Sequence, residues 1–414
     1  MRLCIFEDTF FRKLLPLSWT RPVYHLRCGI TLLEDKITKQ YPDFPLMYHC
    51  REYLSEIVAE TVELPVNSFE EDSYLLVNGR ILWDEDMVQK VDTNRYGFIY
   101  CAGNTEVAAV LSAEQSRVLK GYAGKPLALQ KLFPNLTVEQ IDARAIHYPW
   151  DLLTRNAEEI QKDFARLYRS PELQGVSYPG THFLNKSMIY IVEDAHVKPG
   201  VVLDAKNGPI VIDEGAEIMA NAVIEGPAYI GRDSRVKIGA KIYGGTSIGE
   251  MCKVGGEVEC SIIHSFSNKQ HDGFLGHAYI GQWVNLGAGT SNSDLKNNYH
   301  TIKVTIDGET VDTGLLFVGL IMGDHSKTGI NTMFNTGSVA GVHSNVFGAG
   351  FPPKYIPSFA WGGSEGFVEY EFNKAIATAR TVMARRNVEL TDAMERLAKI
   401  IFKETAEERA GILC

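Results

Sequence analysis

Every sixth residue from position 212 is a β-branched aliphatic: Ile212, Ile218, Ile224, Ile230, Val236, Ile242, Ile248 and Val254. With Ile and Val at about one residue in seven, eight in succession arises by chance on the order of once in 10⁷ starts. Glycine often follows the aliphatic residue, as in Ile230-Gly231, Ile248-Gly249 and Val254-Gly255. The pattern resumes at Ile280-Gly281 and Leu286-Gly287 and runs more loosely through Thr328-Gly329, Phe334 and Val346. A period of six matches neither the 3.6-residue helix nor the alternating strand. It matches a coil of short parallel strands that turns every six residues, each face sending one aliphatic side chain inward. A sandwich or barrel of short strands has no constant six-residue step.

The rest of the chain reads differently. Residues 2–6, 75–77 and 98–101 are short apolar runs that read as buried strands, the second stopped by Asn78-Gly79. Helical periodicity lies between 30 and 60 and between 155 and 168, so the front half reads as a Rossmann-like three-layer α/β unit. After Gly363 the period becomes helical, with Phe372, Ile376, Ala379 and Met383 on one face. Thr391 is placed to cap a second helix with the stripe Met394, Leu397, Ala398 and Ile401. The prediction is three segments: an α/β domain over 1–180, a parallel β-helix over 181–363, and two helices over 364–414 that close the open end of the solenoid.

Composition limits what such a chain does. Of 414 residues, 41 are Lys or Arg and 51 Asp or Glu, a net charge of −10. That total lacks the basic footprint of a nucleic-acid or anionic-membrane partner. No apolar run approaches the roughly 18 residues of a membrane span, and the N-terminus turns acidic at Glu7-Asp8 before a signal-peptide core forms. Seven cysteines without a C-x-x-C pair argue against a disulfide framework or zinc ribbon. The expected compartment is the reducing cytoplasm.

The hexapeptide pattern resembles the left-handed β-helix acyltransferases, which move an acyl group from coenzyme A. The stretch from His271 to Thr290 resembles one branch of them, the bifunctional enzymes that make UDP-N-acetylglucosamine. These join a glucosamine-1-phosphate N-acetyltransferase to an N-acetylglucosamine-1-phosphate uridyltransferase. Their motif is a His followed fourteen residues later by Asn-[Ile/Leu/Phe]-Gly-Ala-Gly-Thr, here His271 and Asn285-Leu-Gly-Ala-Gly-Thr290. Lys327-Thr-Gly-Ile-Asn331 is similar to the archaeal and Bacteroidetes-type members. The resemblance is strong over 190–360 and weaker before.

It implies acetyl-CoA as co-substrate, with glucosamine-1-phosphate acetylated first and the product then joined to UTP with Mg²⁺. It implies a homotrimer, and His271 as the general base. An amine attacks only as the neutral base, and an unperturbed imidazole, with a pKa near 6.5, suits the proton transfer. His271 lies where the six-residue step breaks, and such breaks eject loops. His277, six residues later within the repeat, is the structural rival. Asn285, Asn292 and Lys296 are expected at the sugar, and Ala288 and Gly289 at acetyl-CoA, where a backbone N–H could face the oxyanion. Phe274 stands where the family has Tyr, and the family's upstream Lys has no match in Val258-Glu259. The Arg385, Arg386 and Arg396 face reads as solvated, with a contact to the coenzyme A phosphates as the alternative.

In the front half, Pro16-Leu17-Ser18, Asn78-Gly79-Arg80 and Tyr148-Pro149-Trp150-Asp151 follow the order of sugar-phosphate nucleotidyltransferase landmarks. Two departures stand out. Glu7-Asp8 occupies the place of the phosphate-cradling glycines, whose backbone amides would converge on a phosphate. Arg80 occupies that of the first metal-binding Asp. On the resemblance, Arg12, Arg21 and Arg27, with Lys13, Asn78 and Gly79, would hold nucleotide phosphates, and Asp151 would hold the metal. Two rival readings remain: a sugar-1-phosphate nucleotidyltransferase only, such as a glucose-1-phosphate thymidylyltransferase, with the β-helix serving assembly; and a non-catalytic scaffold or regulator.

Overall fold

The computed structural model describes residues 1–168 and 174–411. The front domain is one six-stranded sheet: β1 (Arg2–Phe6), β2 (Leu46–His49), β3 (Tyr74–Asn78), β4 (Phe98–Ala102), β5 (Thr105–Leu111) and β6 (Thr137–Gln140), in the order β2-β1-β3-β5-β4-β6. β1 runs parallel to both neighbours, and β5 runs antiparallel to β3 and β4. The strand cores Leu3–Phe6 and Tyr74–Val77 are buried on both faces, as expected of a sheet covered on both sides. Helices Glu52–Val62 and Pro149–Leu167 accompany the sheet.

From Val176 the chain winds into a three-faced β-helix with parallel sheets of six, six and nine strands. All eight residues of the six-residue series are at most 1% exposed and form the axial core. Each such burial is worth about 1.5–3 kcal/mol relative to exposure, so the repeat alone supplies a large part of the solenoid's stability. One coil is eighteen residues where the period is strict: Ile212 pairs with Ile230, and Ile230 with Ile248. The step then shortens, Val254 pairing with Lys269 and Val258 with Leu275. This is where the sequence places the break around His271. A larger insertion follows, since Ile280 pairs next with Met322. It carries a hairpin, Lys303–Ile306 with Glu309–Asp312, that the sequence reading did not anticipate.

Helices Phe372–Ala384 and Asp392–Glu404 follow the solenoid, the second capped by Thr391 as expected. They pack on the last part of the solenoid, where Phe372 and Phe402 lie against Phe359. Arg396 pairs with Glu56, and the Thr391 hydroxyl donates to Glu60, so the second helix also lies against helix Glu52–Val62 of the front domain.

The front domain is bolted to the solenoid. Asn156 donates to the Gly245 carbonyl at 2.8 Å and the Ser247 hydroxyl at 3.0 Å, and accepts from the Gly29 N–H at 2.7 Å. The Arg27 N–H donates to the Tyr279 hydroxyl. One apolar core runs from Leu17 and Val77 through Ile262, Tyr279 and Ile321 to Met383 and Leu397. Among the described residues no helix is long and apolar enough to cross a membrane.

Candidate active site

The front-half landmarks are engaged with one another. Arg80 is fully buried and forks onto Asp8, its Nε 3.0 Å from Oδ1, while Asn78 donates to the other oxygen at 2.9 Å. Asp8 also accepts from the Phe10 N–H and caps the short 3₁₀ turn Thr9–Leu14. That turn stands where a glycine-rich phosphate loop would run. Glu7, fully buried, holds Arg51 at 3.0 Å and accepts the Val23 N–H at 2.9 Å. The two carboxylates thus face internal guanidiniums.

The expected phosphate-binding arginines are dispersed. Arg12 is bidentate to Asp307 on the solenoid hairpin, both contacts 2.6 Å. Arg21 pairs with buried Asp324 of the solenoid. Arg27 donates to the Ile30 carbonyl and lies over the Tyr229 ring. A Cβ on Gly79 would meet Tyr24 at 2.8 Å, so glycine is required there by packing. Of the expected phosphate-binding cations, Lys13 alone has no ion pair among the described residues. It sits over Phe10 and Tyr148, beside a cavity of about 240 Å³ roofed by the hairpin.

Asp151 accepts the N–H groups of His147 at 2.7 Å and Tyr148 at 3.1 Å. It stands at the third position of a helix with Pro149 at the first, an N-terminal cap in sequence and geometry. Among the described residues no group of three His, Cys, Asp or Glu side chains is placed to hold a metal. With Oδ2 of Asp151 engaged in the cap, the side chain has only its other oxygen to offer a Mg²⁺ ion, which is held by one or two carboxylates together with substrate phosphates.

On the solenoid, the shortened coil exposes His271 and Asn285. Lys269, buried below them, donates to the carbonyls of Gly255 and His271 and fixes the turn that carries the imidazole. Burial pushes its pKa down to about 8. Asn285 bridges the strand rungs of Asn268 and Lys327. Arg386 of the C-terminal helix pair reaches the same face and donates to Asn268 at 2.9 Å. Burial lowers the pKa of Arg386 and of Lys253, and the neighbouring Arg235 and Arg385 add to both shifts. Crowded cations with depressed pKa values mark an anion-attracting surface. Arg385 is exposed, as the sequence suggests, whereas the place of Arg386 beside Asn268 depends on how the tail folds back.

Other predicted contacts serve the scaffold. Asn292 is 4% exposed, donates to the Gly276 carbonyl at 2.9 Å and accepts its N–H at 3.1 Å. Lys296 donates to the Thr301 carbonyl. The Gly289 N–H donates to the Asp272 carbonyl. At φ +72° Gly289 makes a corner where a Cβ would lie 2.0 Å from Asn331 Oδ1, so turn geometry alone requires glycine.

The group that sequence reasoning underrated is His277. Its Nδ1 is 2.8 Å from Asp294 Oδ2, and its ring stacks on Phe317 at 5.0 Å. Burial works against its charge, but the hydrogen bonds with Asp294 and Cys260 outweigh burial and raise its pKa to about 9. At neutral pH it is an imidazolium, a donor rather than a base. The available signal was spacing: His277 and Asp294 are seventeen residues apart, about one coil, which sets them on adjacent rungs.

Residues 3–171 match the family model described as sugar nucleotidyl transferase. A bifunctional sugar-1-phosphate nucleotidylyltransferase/acetyltransferase of Sulfurisphaera tokodaii is 32% identical over 34% of this chain and 35% of its own length. A bifunctional protein GlmU of Bartonella bacilliformis is 30% identical over 40% of this chain and 38% of its own. One from Methanococcus aeolicus is 25% identical over 66% of this chain and 70% of its own. The matches to the first two therefore span little more than a third of those relatives. Among solved structures, a UDP-N-acetylglucosamine acyltransferase of Francisella novicida aligns with 57% of this chain and 87% of its own, at 15% identity and a TM-score of 0.33.

Proposed function

We propose that the chain is a bifunctional sugar-nucleotide transferase. Its β-helix moves an acetyl group from acetyl-CoA to glucosamine-1-phosphate, and its front domain joins the product to UTP. The observation that carries the first half is the solenoid face on which exposed Asn285 continues the rungs of Lys253 and Asn268, with Arg386 bonded to Asn268 and exposed His271 just past that strand. That face offers an imidazole for the amine proton and cations for the phosphates of coenzyme A. His277, charged and bonded to Asp294, donates to the sugar phosphate or to the developing oxyanion. Asn285 contacts the sugar. The names of the relatives support both activities.

Nucleotidyl transfer rests on less of the geometry. The cavity beside Lys13 lies at the end of β1 where a nucleotide would approach, but Asp8, Arg80 and Arg12 already have partners. A magnesium ion in this reading would arrive with the nucleotide. Those same pairs favour a second reading, in which the front domain is a regulatory or assembly module. Assembly as a homotrimer is supported by apolar side chains exposed on the solenoid, Ile238 and Ile330 among them; light scattering showing a monomer at micromolar concentration would remove it.

The experiment is one incubation with acetyl-CoA, glucosamine-1-phosphate, UTP and Mg²⁺. Thiol release and pyrophosphate release are followed separately. Both are expected. Thiol without pyrophosphate supports the regulatory front domain, and pyrophosphate without thiol leaves a nucleotidyltransferase only.

A further inference from the structure

Away from both proposed reaction sites, the three parts of the chain meet around a cavity of about 240 Å³. The front-domain segment 20–34 supplies one side, a corner of the solenoid a second, and the C-terminal helices the third. A column of parallel rings forms the solenoid side. Phe266 stacks on Trp283 at 4.3 Å, Trp283 on His325 at 6.1 Å, His325 on His343 at 4.7 Å, and His343 on Phe359 at 4.8 Å.

The lining has two chemistries. Ile57, Ile376, Leu397 and Ile401 make an aliphatic wall. The rest of the lining is polar, and some of its buried atoms have no hydrogen-bond partner among the described residues. Arg21 is 5% exposed; its Nη2 is held by Asp324, but its Nη1 has no acceptor. Nδ1 of His325 is buried and unpaired. Nε2 of His25 and Oε2 of Glu34 face each other at 3.3 Å, a pair without a well-formed hydrogen bond. A buried unsatisfied polar group is costly, and folded proteins keep few of them. Two such atoms, Arg21 Nη1 and His325 Nδ1, with a loosely bonded His25–Glu34 pair beside them, point to an occupant.

The occupant's chemistry follows from the charges. Burial drives the pKa of His264 and His325 well below the imidazole range, and that of His343 to about 3, so these rings donate or accept without charge. Each basic group of the lining already stands beside a carboxylate, Arg21 beside Asp324 and His25 beside Glu34, so no cation is left over for an anion. A phosphate or carboxylate would be repelled, and a hydrocarbon would leave the polar atoms unpaired. The cavity is also below the roughly 300–1,000 Å³ of pockets for drug-sized ligands.

We propose that this cavity binds a neutral nitrogen heterocycle of nucleobase size. It would lie against the aliphatic wall, its ring acceptor facing Arg21 Nη1 and its N–H facing Glu34. Such a ligand touches all three parts of the chain at once and ties the C-terminal helices to the front domain. The site is separate from the acetyl-transfer face, so His271→Ala leaves it intact.

The test uses the full-length protein with free uracil, thymine, cytosine and adenine, each at millimolar concentration. Saturation-transfer NMR reads binding, and hydrogen exchange reads helix Asp392–Glu404. At least one base is expected to bind and to slow exchange in that helix. Ala398→Phe, which fills the cavity, abolishes binding, and Glu34→Gln weakens it tenfold or more. If Ala398→Phe does not fold, Thr61→Trp at the exposed rim closes the cavity instead. Failure of every base to bind overturns the proposal. So does binding that survives the filled cavity, which would place the base at the front-domain nucleotide site. Displacement of the base by octanoate at equal affinity overturns the assignment to a neutral ring.

Discussion

In the front domain, the motif residues Glu7, Asp8 and Arg80 are buried and bonded to Arg51, to each other and to Asn78. On the solenoid, His271 and Asn285 stand exposed on a coil whose hidden polar needs are met by Lys269 and Asn292. A charge locked into a buried pair is structural whatever motif it occupies. Removing one partner leaves the other uncompensated. An exposed polar side chain on a rigid coil is free to meet a ligand, because the scaffold does not need it. The same type of residue thus carries opposite consequences in the two halves.

The largest separation between the halves should come from breaking a front-domain pair. Arg80→Met strands the Asp8 carboxylate in the interior and should cost about 3–5 kcal/mol, a large share of the roughly 5–15 kcal/mol of a typical domain. Chemical denaturation reads the loss. Thiol release per folded molecule should stay unchanged, since Arg80 lies outside the solenoid face. If Arg80→Met is as stable as wild type, the buried pair is not structural and the contrast fails.

A pH titration of stability sharpens the contrast from the solenoid side. His277 has its pKa raised from 6.5 to about 9. Its contribution is fully present below pH 6.5 and is lost as the pH rises through 9. The amount at stake is on the order of 2–3 kcal/mol for a shift of that size in a mostly buried group. Denaturation midpoints across this window should fall for wild type and fall less for Asp294→Asn. Equal slopes would show that the ion pair does not form.

A smaller comparison sits within one coil turn. Asn292→Ala leaves the N–H and carbonyl of Gly276 without their partner and should cost about 1–3 kcal/mol. Asn285→Ala should change stability by less than about 0.5 kcal/mol while raising KM for the sugar phosphate. Thermal melts and steady-state thiol release distinguish them. Equal stability losses would mean that exposure does not sort function from scaffold here.

The solenoid was legible because its rule is local and repeated: one inward aliphatic in six, with the break where the residue count fails. The strands at 2–6, 75–77 and 98–101 and the tail helices followed from short-range patterning as well. What was not legible depends on contacts far apart in the chain. Arg12 meets Asp307 across 295 positions, Thr20 meets Asp324 across 304, and Asn156 reaches Gly245 across 89. No periodicity announces such pairs, so Arg21 and Arg27 looked like phosphate ligands until the docking of the two halves placed them. Asp151 was different. Pro149 followed by Asp151 is a helix-start signature, and the cap was readable beside the metal motif it resembles. His277 was readable too, since one coil separates it from Asp294.

The direct test of acetyl transfer on the exposed solenoid face is thiol release by His271→Ala and His277→Ala, each measured from pH 6 to 10. His271→Ala should lower kcat by about 10²–10⁴, the usual worth of a positioned base. His277→Ala should mainly raise KM for the sugar phosphate, because a charged donor has been lost rather than the base. If His271→Ala is active, and the wild-type rate instead rises with a limb near pH 9 that His277→Ala abolishes, then the dyad of His277 and Asp294 is the base and the assignment of His271 is wrong.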